Sequence, residues 1–93
     1  MFIIEITFTK PLDEVDKHLE DHRSYLKRYY SSNHFITSGR KVPRTGGIIL
    51  CKASSMDQVN NIITEDPFFK TSVAQYKVIE FTPSLWQPGF ENL

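Results

Sequence analysis

The chain has 93 residues, 11 basic and 11 acidic side chains and no net charge, with 40% hydrophobic and 24% charged residues. That length holds one domain, and that balance belongs to a folded globule rather than a disordered chain. Zero net charge argues against nucleic acid as the main partner, because phosphates are met by a surplus of Lys and Arg, and against a polybasic membrane anchor.

No apolar run approaches the roughly 18 residues of a membrane span. Met1 leads straight into Phe2-Ile3-Ile4, without the basic segment that opens a signal peptide. The single cysteine, Cys51, leaves no internal disulfide and no Cys-based zinc site. Together these absences point to a reducing, cytoplasmic setting. A domain this small buries only about 60–65% of its unfolded surface, so association with a second copy would help it.

Residues 2–8 alternate, with Phe2, Ile4, Ile6 and Phe8 on one side and Ile3, Glu5 and Thr7 on the other, which predicts a strand with one well-buried face. Lys10-Pro11 ends it, since Pro cannot donate to the ladder. Leu12, Val15, Leu19, His22, Leu26 and Tyr29 then succeed one another at steps of three and four, the stripe of one amphipathic helix. Asp13, Glu14 and Asp16 crowd its first turn and Lys27 and Arg28 its last, both favourable to the helix dipole, and Ser31-Ser32-Asn33 closes it.

A second strand is expected over 34–42 and a third over 47–53, joined by the hairpin residues Pro43-Arg44-Thr45-Gly46-Gly47. Ser55-Met56-Asp57-Gln58 resembles a capping box and opens a short helix with Val59, Ile62 and Ile63 as its stripe. Asp66-Pro67 interrupts it, because the residue before Pro is pushed out of the helical region, and Phe68-Phe69-Lys70 adds one more turn. Residues 73–82 form the last strand; 83–93 is a tail carrying Trp86 and Phe90.

The order is β-α-β-β-α-β, a ferredoxin-like α+β fold with both helices on one face of a four-stranded antiparallel sheet. The face without helices is also partly apolar: in the last strand Tyr76 and Val78 fall on one side and Ile79 and Phe81 on the other, in the third Ile48 and Leu50 oppose Ile49 and Cys51, and Ile3 joins the second set. Contiguous apolar patches of that kind mark interfaces, and a symmetric homodimer joined sheet to sheet would bury this one.

His22 stands on the apolar stripe, where a Leu would be unremarkable. A half-buried imidazole can serve as a general base near neutral pH, and it can equally be a packed histidine bonded to backbone. Asp66 is a good N-cap ahead of Pro67, and it is also a candidate carboxylate to hold an imidazole in one tautomer. The 44 positions between the two leave this undecided. His18 and His22 lie one helical turn apart, as a shared metal would need, but Leu19 stands where a metalloprotease has Glu, and no third ligand is evident. His18 is therefore read as a surface residue.

Arg40, Lys41 and Arg44 form a basic cluster, either a site for an anionic substrate or a solvated hairpin whose charges protect a strand edge. Gly46-Gly47 lacks a phosphate-loop pattern and reads as turn chemistry. Cys51 reads as core or interface. An RNA-binding module of the same topology needs stacking aromatics on its first and third strands, and Gly-Ile-Ile-Leu-Cys-Lys-Ala has none.

Asp21-His22, Ser38-Gly39, Pro43-Arg44-Thr45-Gly46-Gly47-Ile48-Ile49, Asp66-Pro67-Phe68 and Tyr76-Lys77-Val78-Ile79-Glu80-Phe81, in this order and spacing, resemble the YciI-like family of the dimeric α+β barrel superfamily over residues 1–83. The resemblance implies a protomer that dimerises through its sheet, with residues 84–93 as a tail outside the match. It implies a pocket in which His22 and Asp66 meet, with Ser38 on the strand that lines it. Arg40 departs from the Pro that many relatives carry there and adds a positive charge near that pocket. Activities suggested for similar proteins concern small molecules, including dehalogenation or isomerisation of aromatic ring-cleavage products.

The resulting expectation is an enzyme without cofactor or metal. His22 would abstract a proton, Asp66 would orient it, and Ser38 and Arg40 would hold the substrate. The alternative is a dimeric module that binds a metabolite, or serves structure alone, with no catalysis.

Overall fold

The alternation of the first segment becomes strand β1 (Phe2–Phe8), one of the two inner strands of the sheet. The structure, a computed structural model, describes residues 1–91. After β1 come α1 (Leu12–Asp16), α2 (Leu19–Ser31), β2 (Phe35–Arg40), β3 (Gly46–Cys51), α3 (Met56–Thr64), α4 (Pro67–Lys70) and β4 (Ala74–Glu80). The four strands are antiparallel in the order β2-β3-β1-β4. This is the ferredoxin-like α+β arrangement. No helix among the described residues is long and apolar enough to cross a membrane.

Phe2, Ile4 and Ile6 of β1 are buried against α2 and α3 together with Tyr25, Phe35, Ile49, Cys51, Val59, Ile62 and Ile63. The Tyr25 hydroxyl, inside this core, donates to the Ile62 carbonyl at 2.9 Å and so ties α2 to α3. Ser55 caps α3 by accepting from Gln58 N–H at 3.1 Å, while the Gln58 side chain reaches back to the Ser54 N–H at 2.7 Å. The box is thus closed one residue earlier than the usual pattern.

The stripe from Leu12 to Tyr29 is two helices rather than one. His18 has φ −112° and ψ 7°, and its N–H closes a tight turn on the Val15 carbonyl at 3.0 Å. The break separates two apolar groups. Val15 packs with Phe68 and Val73 in a second cluster at one end of the sheet, whereas Tyr25 belongs to the main core. Periodicity alone cannot see such a break, because the steps of three and four run through it.

Two further expectations shift. β2 and β4 are shorter at both ends than expected, and β3 stops sooner but starts at Gly46, which was expected in the turn. At Gly46 the reason is close approach: a Cβ there would sit 1.8 Å from the Ile6 carbonyl oxygen. The connection proper is residues 41–45, closed by Lys41 N–H on the Gly46 carbonyl at 2.9 Å.

The pairing of β2 is irregular. Phe35 pairs with Cys51, and Thr37, not Ile36, pairs with Leu50. Ile36 is the extra residue of a bulge, which resets the alternation. Phe35, Ser38 and Arg40 consequently all share the helix-covered side with Cys51, Ile49 and Gly47, although strict alternation would put Phe35 opposite the other two.

On the open side of the sheet Ile48, Ile79 and Phe81 remain 38%, 46% and 39% exposed. In the tail Leu85, Trp86 and Phe90 are exposed as well.

The close approach at Gly46 predicts a sharp contrast between two glycines. Gly46→Ala should destabilise the fold by about 2 kcal/mol or more, because the β1–β3 ladder must open to admit the methyl group. Gly39→Ala, whose Cβ meets nothing within 4 Å, should change stability by about 0.5 kcal/mol or less. Urea denaturation of the two variants beside the parent checks both.

Candidate active site

Asp66 is the hinge between α3 and α4. Pro67 forbids it a helical conformation, and its extended backbone (φ −69°, ψ 125°) turns the carboxylate back over the first turn of α4, where Oδ1 accepts the Phe68 N–H at 3.0 Å. The residue is wholly buried. The same Oδ1 lies 2.7 Å from Nδ1 of His22, and Oδ2 accepts the Tyr76 hydroxyl of β4 at 2.6 Å. The capping role and the contact with His22 therefore coexist on one oxygen.

His22 is only 9% exposed. The Phe68 ring lies flat against its imidazole, with centroids 4.0 Å apart and planes 12° from parallel. An ionised carboxylate only accepts hydrogen bonds, so against an ionised Asp66 Nδ1 is the donor, and a neutral imidazole then keeps its lone pair on Nε2. No buried side-chain nitrogen or oxygen among the described residues lacks a partner. Nε2 has no partner among them, so it is not sealed in, and His22 is one of the residues that line a cavity.

That cavity holds about 490 Å³ between α2, the end of α1, the start of α4 and the sheet. Ile6, Phe8, Leu19, Leu26, Ile49 and Phe68 give it apolar walls, and Ser38, Arg40, Arg23, Arg44 and Asp16 give it a polar side. The bulge in β2 is what turns Ser38 and Arg40 toward it. The Ser38 hydroxyl shares a 2.6 Å hydrogen bond with the Tyr30 hydroxyl of α2. Arg40 is exposed and has no ion-pair partner among the described residues.

The basic cluster is thus divided by the sheet. Arg40 and Arg44 line the cavity, while Lys41 lies by Glu5 at 3.3 Å and donates to Thr7 Oγ1 at 3.0 Å, both on the opposite face. Arg44 reaches Asp16 of α1 at 2.5 Å. This hydrogen bond, with the charges of Arg44 and Arg23, holds the Asp16 carboxyl below its usual range. Arg23 pairs with Glu20 at 2.9 Å.

Among the remaining sequence candidates, His18 is the half-buried residue that precedes α2, and it does not line the cavity. No cluster of three His, Cys, Asp or Glu side chains is placed to hold a metal among the described residues. Cys51 is fully buried and burial pushes its thiol up to about 11, so it packs and does not react.

Sequence reasoning missed Tyr76, Phe68, Arg23 and Asp16. For Tyr76 a signal existed: a tyrosine on the core-facing side of a strand must find a partner for its hydroxyl. For the others none did, since their places depend on where α1 breaks and α4 begins.

The family model of the YCII-related domain matches residues 1–82. No curated protein matches the chain. Among solved structures it is similar to the 5-chloro-2-hydroxyhydroquinone dehydrochlorinase of Burkholderia phenoliruptrix AC1100 in complex with 2,5-dihydroxybenzoquinone. The TM-score is 0.75 with 19% identity, over 90% of this chain and 96% of that one. At that identity the likeness concerns the fold alone. With the family model running from the first strand through the last, the chain belongs to the YCII-related family.

Proposed function

We propose that the cavity is the active site of a small-molecule enzyme that needs no cofactor, with His22 as general base. The carrying observation is the imidazole itself: Nδ1 is tied to a buried carboxylate 2.7 Å away, and Nε2 is left for a 490 Å³ cavity. Asp66 keeps the ring in one tautomer and stabilises the imidazolium formed when Nε2 takes a proton. Arg40, exposed on the cavity and without an ion pair among the described residues, binds the substrate's anionic oxygen, and Ser38 places a hydrogen bond beside it.

The reaction is proton abstraction from a carbon or hydroxyl conjugated with a carbonyl or with a halogen-bearing carbon. In the eliminating form His22 Nε2 takes the proton, the freed electron pair forms the new double bond, and halide leaves with the bonding pair. In the isomerising form the same proton returns at another carbon. The dehydrochlorinase that shares this fold acts, by its name, on a chlorinated hydroxyhydroquinone, and a ring of that size suits the apolar walls. We also take the open sheet face, with Ile48, Ile79 and Phe81 exposed, as the surface through which two copies dimerise.

Turnover of halogenated hydroxyhydroquinones and of small enolisable acids, followed by halide release or ultraviolet absorbance, tests the reading. His22→Ala should lower kcat by about 10²–10⁴-fold, and acidification should depress the parent's rate as the imidazole takes up a proton. A His22→Ala variant with unchanged turnover would sink the proposal, and a ligand recovered unaltered after long incubation favours the binding module instead. Arg40→Ala should raise KM about 10- to 100-fold with a smaller change in kcat, the cost of one charge-assisted hydrogen bond. For the interface, Ile79→Glu should convert a dimer into a monomer in sedimentation equilibrium; an unaltered mass would place the contact elsewhere.

A further inference from the structure

The geometry points to Tyr76 as a positioning residue of this site: its hydroxyl, by holding Asp66 Oδ2, decides which carboxylate oxygen meets His22 and how strongly that oxygen pulls on the imidazole proton. The inference rests on the reading of His22 as the base and adds a residue of β4 to it.

Without Tyr76 little would fix the carboxylate's orientation. The torsion that swings a carboxylate about its last bond is soft and roughly two-fold. The Phe68 N–H and His22 Nδ1 both reach Oδ1, at 3.0 and 2.7 Å, and either oxygen would serve them. The contact that distinguishes the two oxygens is the Tyr76 hydroxyl on Oδ2 at 2.6 Å. It comes from a different layer of the fold, since β4 pairs with β1 and sets Tyr76 opposite Ile6. Phe69 of α4 packs edge-on against the Tyr76 ring, with centroids 5.8 Å apart, and keeps it in place. The carboxylate is thus clamped between the backbone of α4 and the sheet.

Burial, reinforced by the Asp66 charge, pushes the Tyr76 hydroxyl far above the ordinary phenol range, so it stays protonated and donates at any working pH. A donor on Oδ2 draws negative charge away from Oδ1. Removing it concentrates that charge where His22 is bonded, so the imidazole–carboxylate unit should hold its proton more tightly.

Other groups face the same imidazole and are common to the parent and the Tyr76 variants. The Tyr25 ring on α2 lies 5.9 Å away, and Asp16 of α1, Arg23 of α2, Arg40 of β2 and Arg44 of the β2–β3 loop share the cavity.

The test is a titration of His22 by long-range proton–nitrogen NMR on the full chain labelled with ¹⁵N-histidine, with His22→Ala used to assign the signals. Tyr76→Phe should raise the His22 midpoint by about one pH unit, the scale of a hydrogen bond to a charged group. Replacing Tyr76 alone by 3-fluorotyrosine, a stronger donor of nearly the same shape, should lower the midpoint, and this variant serves even if Tyr76→Phe fails to fold. With a substrate in hand, the acid limb of kcat/KM should move with the midpoint in both variants. A midpoint that stays in place, with only the melting temperature reduced, would show that Tyr76 merely fills a buried hydrogen bond and would overturn the inference. The titration needs no substrate, so its outcome is separate from the turnover of His22→Ala, on which the catalytic reading stands.

Discussion

A carboxylate taken wholly out of water costs several kcal/mol unless its lone pairs find donors, and Asp66 finds three, each from a different part of the chain. The Phe68 N–H belongs to the helix that Asp66 itself begins, the imidazole of His22 to α2, and the hydroxyl of Tyr76 to β4. Satisfying this one side chain therefore requires α2, α4 and β4 to sit where they do. The second apolar cluster of Val15, Phe68 and Val73 assembles beside it, and Phe68 adds the face against which the His22 ring lies. Removing any single donor leaves a buried oxygen short of a partner, so the group behaves as one unit in which single deletions are not additive.

The cavity is shaped by a second constraint, the pleat of the sheet. Alternation assigns each side chain of a strand to one face, and a cavity on the helix side receives only the residues that face it. The bulge at Ile36 resets β2 so that Phe35 enters the core while Ser38 and Arg40 reach the cavity three and five residues later. Gly46 and Gly47 of β3 line the same cavity, and at both an added Cβ would meet neighbouring strand backbone, the Ile6 carbonyl oxygen at 1.8 Å and the Gly39 carbonyl oxygen at 3.0 Å. The cavity is therefore a product of backbone irregularity as much as of side-chain choice.

The larger features were legible because they rest on periodicity. Period two located β1 and its buried face, the change to steps of three and four located the helical segment, and together they led to the ferredoxin-like order. What stayed illegible depends on tertiary context. The break at His18 leaves the apolar stripe intact, and the bulge in β2 keeps the strand's composition unchanged. Gly46 carried a turn signal that was overridden by the close approach of β1. The resemblance to relatives singled out His22 and Asp66 together, but spacing alone offered two separate uses for Asp66. The structure removes that choice: the bond that caps α4 and the bond to His22 fall on the same oxygen, since Oδ1 has room for both donors.

On the catalytic reading, this sharing bears on how the site is stable and reactive at once. A base held by a carboxylate whose only duty was catalysis would carry the full desolvation cost of that carboxylate as a burden on the fold. Here the carboxylate also begins α4 and anchors β4, so the burial is offset by structure that the fold needs in any case. On the catalytic reading the charges around the cavity then form an alternating series. Arg23 and Arg44 are compensated by Glu20 and Asp16, which leaves Arg40 as the cation facing the cavity without a partner among the described residues. When a substrate anion pairs with Arg40 and gives its proton to His22, the sequence becomes carboxylate, imidazolium, conjugate base and guanidinium, with each charge next to its opposite. Little of the surroundings has to move for this, because the Asp66 end is already fixed by three hydrogen bonds, and a field that is in place before the proton moves lowers the barrier without reorganisation at the moment of reaction.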